Sequence, residues 1–323
     1  MNLRDIKEIR RIFKDEISKV KNDTIKVKDL GYDDEFLNNI LFEEYEKGGK
    51  TFSKEILPVL SKIDFSTVDF GSFYCIDYNF SNLKGVEIDP QTIYDKNLTK
   101  SILKGVKFIG EFSGVKINGA SFKGSTGAKI DPSKIAAKSI SQVDFCDVEF
   151  IGNFDSVAIG YTSFRGSKKA QIDPQLINFK SLYQCDFGDV TFIGSFKDTD
   201  IRSCDFTGSK GAIIDPQEVD ELCGSIFKDV EFVGNFNNVR ILGCDFTGSK
   251  GAVINPQTIW GRIVTGVIFK DVLIIGSFKG TFVKKSQLKG AKFQDYNEIF
   301  DSNFKKDFKM KIAELTNKNY IKK

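Results

Sequence analysis

Nucleophiles, metal ligands and phosphate cradles are the residues that do chemistry, and this chain is short of the commonest of them. It contains no histidine, the side chain that most often serves as general base and neutral metal ligand near pH 7. A Ser-His-Asp triad and a Cys-His dyad are thereby excluded. Six cysteines are present, and no two of them stand in the Cys-x-x-Cys spacing that favours zinc. Gly208-Ser209-Lys210-Gly211 and Gly248-Ser249-Lys250-Gly251 look superficially like phosphate loops. They lack the Gly-x-x-x-x-Gly-Lys-Ser/Thr spacing and a helical pattern behind it. Carboxylate pairs stay formally open, and nothing singles one out. No catalytic residue, cofactor or metal is therefore assigned, and the chain is read as not an enzyme.

The elements that carry these residues are revealed by an internal repeat. The phrases NLKGVEIDPQTI, GSTGAKIDPSKI, GSKKAQIDPQLI, GSKGAIIDPQEV and GSKGAVINPQTI recur. Pro90, Pro132, Pro174, Pro216 and Pro256 mark their register, at spacings of 42, 42, 42 and 40 residues. Within each unit the large apolar residues return every five positions, as in Ile88, Ile93, Leu98, Leu103 and Phe108. That period belongs neither to a helix nor to a flat strand. One step of eight, spanning the Gly-Ser-Lys-Gly-Ala and Ile-Asp-Pro-Gln phrases, and one step of four, at Gly110, Gly152, Gly194, Gly234 and Gly276, interrupt each unit. Glycine and proline predict a bulged corner at the first and a tightened corner at the second.

Two residues before each large apolar position stands a small or β-branched one, as in Cys204-Asp205-Phe206-Thr207-Gly208, Cys244-Asp245-Phe246-Thr247-Gly248 and Ala120-Ser121-Phe122-Lys123-Gly124. This pattern resembles the pentapeptide-repeat family over roughly Phe65 to Phe293, about 70% of the chain. The resemblance implies an all-β solenoid, a right-handed quadrilateral β-helix in which four pentapeptides close one coil. The repeated unit is then two coils, and about eleven coils at about 4.8 Å each make a rod of roughly 50 Å. Cys185, Cys204 and Cys244 fall on the small inward position and Cys75 on the large one, whereas Cys146 and Cys223 follow large inward residues. Reduced core thiols are expected rather than disulfides.

The repeat, assigned to residues 64–293, is flanked by segments of another period. Residues 1–63 show helical spacing, with a second helix expected over Asp34 to Glu46 and a short third over Ser53 to Lys62. They are expected to cap the open end of the first coil or to bind a partner. In residues 294–323, Phe300, Phe304 and Phe308 stand at i, i+4 and i+8 of an expected Lys-rich helix. It is read as a cap or, by family analogy, as a homodimer surface.

Stacking also predicts two columns. Lys84, Lys168, Lys210 and Lys250, with Thr126 interrupting, form one. Asp89, Asp131, Asp173 and Asp215, continued by Asn255, form the other, and turn-forming carboxylates of this kind commonly hold backbone N–H groups. Either column is a candidate contact for a protein partner. The 47 basic and 44 acidic residues nearly cancel, which weighs against direct nucleic-acid binding. It weighs equally against the alternative function that the family resemblance implies, regulation of a nucleic-acid enzyme such as DNA gyrase through an acidic surface. No run of 18 apolar residues and no signal-peptide core is found, so a cytoplasmic protein without membrane contact or small-molecule substrate is expected. The leading function is a non-enzymatic structural or protein-interaction scaffold.

Overall fold

The computed structural model describes residues 63–294, apart from Thr67, Ser72 and Phe282, together with Ile25, Lys26, Leu41 and Leu60. Leu41 and Leu60 are helical and buried. The rest of the expected helices, including Phe300, Phe304 and Phe308, lies outside the described residues. Two compact units divide the chain, one of Met1–Asn153 with Gly166–Lys168 and one of Phe154–Arg165 with Lys169–Lys323.

Each unit is a parallel β-solenoid. A five-residue step places the large residue inward on a short strand and turns the chain at its end, so strands of two or three residues are all that form. In the first unit one face, called the ladder face below, pairs Asp64 with Lys84, Glu87 with Lys107, Lys107 with Thr126, Lys129 with Glu149 and Glu149 with Lys168. These are five turns of the coil. In the second unit the equivalent face, given the same label, pairs Gln171 with Thr191, Thr191 with Lys210, Ile213 with Glu231, Glu231 with Lys250, Val253 with Leu273 and Leu273 with Lys292, six turns. At the start of the first unit Ile25–Lys26 pairs in parallel with Ile63–Asp64. The N-terminal segment thus lays a strand on the edge that the first coil would otherwise leave unpaired.

The ladder explains the eight-residue step. Thr126 pairs with the preceding coil, but Lys129, three residues later, pairs with the following one. The three extra residues bulge between the two partners, and the bulge needs left-handed backbone. Gly211 supplies it with φ of +69°, and a Cβ there would stand 2.5 Å from the Phe192 carbonyl oxygen. The single 40-residue spacing has an equally local cause. Where a sibling unit makes a 3₁₀ turn at Asn178–Lys180 before the strand Ser181–Tyr183, the fourth unit has only Asp220 between Val219 and the strand Glu221–Cys223. Two residues and one turn are lost at that corner, and pairing resumes at once with Ile201 opposite Leu222.

Four inward columns of Phe, Ile, Leu and Val fill the coils, and nearly all are fully buried. In the second unit one column stacks ring on ring. Phe206 lies 5.2 Å from Phe187 and 5.8 Å from Phe227, and also meets Phe192 and Phe196. At the small inward position beside this column Thr162, Cys185 and Ser225 donate to the carbonyl two residues before them, and two cysteines also reach the preceding coil. The Cys204 thiol donates to the Leu182 carbonyl at 3.2 Å, and the Cys244 thiol to the Leu222 carbonyl at 2.7 Å.

Since Phe206 fills space shared by three coils, Phe206→Ala should destabilise the second unit by about 3–5 kcal/mol in urea titrations. A loss below about 1 kcal/mol would show that neighbouring rings collapse into the hole and that the stack is not what holds these coils.

Candidate functional site

The Asp-Pro phrase and the four-residue step, separate irregularities in the sequence, occupy the same corner of successive coils. Asp89, Asp173 and Asp215, and Asn255 in their place, each accept through Oδ1 from the backbone N–H two residues on, at 2.9 to 3.0 Å. Asp131 does the same with Ser133 at 3.1 Å. The carboxylate then projects toward the next coil, into the space a side chain would occupy at the glycine of the four-residue step. A Cβ on Gly194 would lie 2.7 Å from both Asp173 oxygens, and one on Gly234 would lie 2.6 Å from Asp215 Oδ1. Gly110 and Gly152 face Asp89 and Asp131 more closely still. Glycine is therefore the only residue that fits above the Asp.

The glutamine of the phrase completes this corner, a role the sequence reading missed although Gln recurs at the 42-residue period. Gln91 Nε2 donates to the carbonyls of Glu111 and Ser113, at 2.8 and 2.9 Å, in the following coil. Gln257 reaches those of Ser277 and Lys279 in the same way. Lys96 and Lys180 in turn donate to Gln91 and Gln175 Oε1. In the second repeat Ser133 replaces Gln, and Lys134 instead pairs with Asp131 at 3.1 Å. Burial pushes the Asp131 carboxyl up. The hydrogen bonds from Ser133 and the Lys134 ammonium outweigh it and hold the group below its ordinary range.

The predicted Asp column thus turns its acceptors into the coil-to-coil joint. The predicted Lys column stays outside: Lys84 and Lys168 are exposed on the ladder face of the first unit and Lys210 and Lys250 on that of the second. Acids stand among them, however. Glu149 is in register with Lys168 and Glu231 with Lys250, while Lys107, on the same face, pairs with Glu87 at 2.7 Å. The face is a mixed-charge ladder rather than a basic stripe.

The same packing raises the thiol pKa of Cys75, Cys146, Cys204, Cys223 and Cys244, whereas a hydrogen bond with Cys204 lowers that of Cys185. Cys75 and Cys244 are buried, and burial pushes both thiols far up. Cys146 and Cys223 are half-buried. Burial raises the Cys146 thiol, helped by Asp147, and burial with Glu221 pushes Cys223 up to about 11. A thiol so placed is protonated at neutral pH and is a poor nucleophile.

What the corners expose is aromatic and aliphatic. At the 3₁₀ turn after each inward isoleucine a middle residue takes positive φ: Asp95, Ala137, Phe179 and Gly261. Phe179 is the outlier, with φ of +60° and 82% of its surface exposed. Leu176, three residues before it, is 51% exposed. At the equivalent turn Trp260 carries the Arg240 guanidinium over its ring at 5.4 Å. The period of five could not reveal these residues, because it reports only what points inward.

No family model and no curated protein matches the chain. Among solved structures it is similar to that of QnrB1, a plasmid-mediated fluoroquinolone resistance protein, with 15% identity, 72% of this chain and 96% of that chain covered, and a TM-score of 0.20. The fold stands on the chain's own ladders. No helix among the described residues is long and apolar enough to cross a membrane.

Two outcomes follow. Because folding lowers the Asp131 pKa below its ordinary 3.8, the unfolded chain holds that proton more tightly, and the charge stabilises the fold above that pH. Asp131→Asn keeps the turn acceptor, as Asn255 does, but loses the charge. It should cost stability at pH 7 and converge on the wild type as pH falls below 3.8. A gap that does not narrow as the pH of paired urea titrations is lowered from 7 through 3.8 and below rules out the charge as its cause. For the thiols, iodoacetamide should label Cys223 slowly at pH 7.5, with a rate climbing toward pH 11. Fast labelling at neutral pH would show a thiolate that the surroundings do not account for.

Proposed function

We propose that the chain is a non-enzymatic protein-interaction scaffold and that it engages its partner through the exposed turn at Phe179. One observation carries this reading: a bulky aromatic side chain held in left-handed backbone and left 82% exposed. Left-handed backbone costs a non-glycine residue about 1–2 kcal/mol, and an exposed ring regains little of it from burial. The sibling turns use Asp95, Ala137 and Gly261, two of them small. Exposed aromatic anchors beside aliphatic neighbours are the residues that dominate protein interfaces. Leu176 supplies the aliphatic neighbour, and Lys180, which donates to Gln175 and approaches Asp198 at 3.5 Å, fixes the stem of the turn. The Lys and Asp columns take a secondary place in this reading, the first as a charge-balanced rim and the second as internal joints.

Replacing Phe179 tests the proposal because stability and binding should move in opposite directions. Phe179→Gly relieves the backbone and is expected to raise stability by about 1 kcal/mol, while capture of native partners by the full chain falls at least tenfold. A photoreactive phenylalanine analogue at the same position should cross-link to the captured protein. Capture that survives both Phe179→Gly and Leu176→Ser would place the partner surface elsewhere.

A further inference from the structure

Losing one turn does more than shorten the fourth unit: it opens a notch at the corner where the 3₁₀ turns stand. In the second unit the turns Asn178–Lys180 and Trp260–Arg262 border it. Register counts the coils between them. Ser181 pairs with Asp200 and Asp200 with Glu221, Gly224 donates to the Leu242 carbonyl, and the Trp260 N–H reaches the Val239 carbonyl. Three coils, marked at this corner by Thr199, Asp220 and Val239, thus intervene without a 3₁₀ turn. Four coil steps at about 4.8 Å set the two turns about 19 Å apart, and turns one coil thick leave about 14 Å clear. A turn kept at Asp220 would divide this into two gaps of about 5 Å. An α-helix with its side chains is about 10–12 Å across, so the notch admits a helix where the regular repeat would not.

The floor of the notch is apolar and its walls are aromatic. Val219 stands where the sibling corners bury Ile177 and Ile259, yet the shortened corner leaves it half-buried. Phe179 is exposed on one wall and Trp260 on the other. Both walls are tied to the floor: Lys180 approaches Asp198 at 3.5 Å, and Arg240, over the Trp260 ring, pairs with Glu221 at 3.1 Å. Arg202 is held by Asp200 and Glu221, each at 2.8 Å. The charge left free at the middle coil is negative. Glu218 and Asp220, exposed on either side of Val219, are in no ion pair among the described residues. The unpaired cations Lys197 and Arg262 belong to the coil beside the Phe179 wall and to the Trp260 turn. We infer that the notch seats one amphipathic α-helix of the partner, lying across the solenoid between Phe179 and Trp260. Its apolar side covers Val219, and a lysine or arginine on each flank meets Glu218 and Asp220. This rests on the reading that Phe179 meets the partner, and adds the class of segment it meets.

Trp260 is the chain's single tryptophan, so its emission reports on the notch. The probe is a tryptophan-free helical peptide of leucine and lysine, about 18 residues and about 27 Å long, titrated into the full chain. Its binding should shift the Trp260 emission to the blue and saturate, whereas the same peptide with glutamate in place of lysine should give no shift. Inserting Gly-Lys after Asp220, which restores the lost turn, should raise the titration midpoint at least tenfold. Glu218→Lys combined with Asp220→Lys should do the same without altering the corner, and decides the matter if the insertion lowers the thermal midpoint of the solenoid. No shift with the lysine peptide, equal shifts with both peptides, or a wild-type midpoint in the charge-reversed chain overturns the inference. Weakening by Phe179→Gly alone also overturns the notch but leaves the Phe179 reading standing. Weakening by the insertion and the charge reversal but not by Phe179→Gly supports the notch and removes Phe179 from the interface.

Discussion

A parallel coil bonds to its neighbour only if each turn returns the chain to the same place, so coil closure is the constraint on which everything else depends. Insertions and deletions cannot be passed along the ladder. They must be absorbed within the coil where they occur. The eight-residue step does so by giving one strand two partners three residues apart, as Thr126 and Lys129 show. The fourth unit loses a whole 3₁₀ turn at one corner and still brings Ile201 opposite Leu222.

Closure also decides where polar groups go. The four-residue step leaves a glycine with no side chain, and the Asp of the preceding coil fills that gap while holding its own turn. Gln91 and Gln257 then satisfy carbonyls across the same seam. The Asp and Gln that recur in phase are in this way committed to the joint between coils, and the charges on the ladder face of the first unit are interleaved by sign. Phe179, which breaks the repeat at its turn, is committed to no such joint and is left 82% exposed.

Phe179 is a single protruding ring in left-handed backbone, where the sibling turns carry Asp95, Ala137 and Gly261.

The repeat itself was legible in the sequence because inward residues must be large and apolar at every fifth position whatever lies outside. Period, inward columns, buried thiols such as Cys75 and Cys244, and the absence of histidine chemistry all follow from residue type and spacing alone. Neighbourhood across coils was not legible. That Asp173 and Gly194 occupy one space, that Glu149 and Glu231 interrupt the lysines, and that Phe179 is left in solvent are facts of register, set by how many residues each turn consumes. Only the closed coil fixes that number, because hydrogen bonding between turns, and not any local preference, selects which residues come to lie side by side.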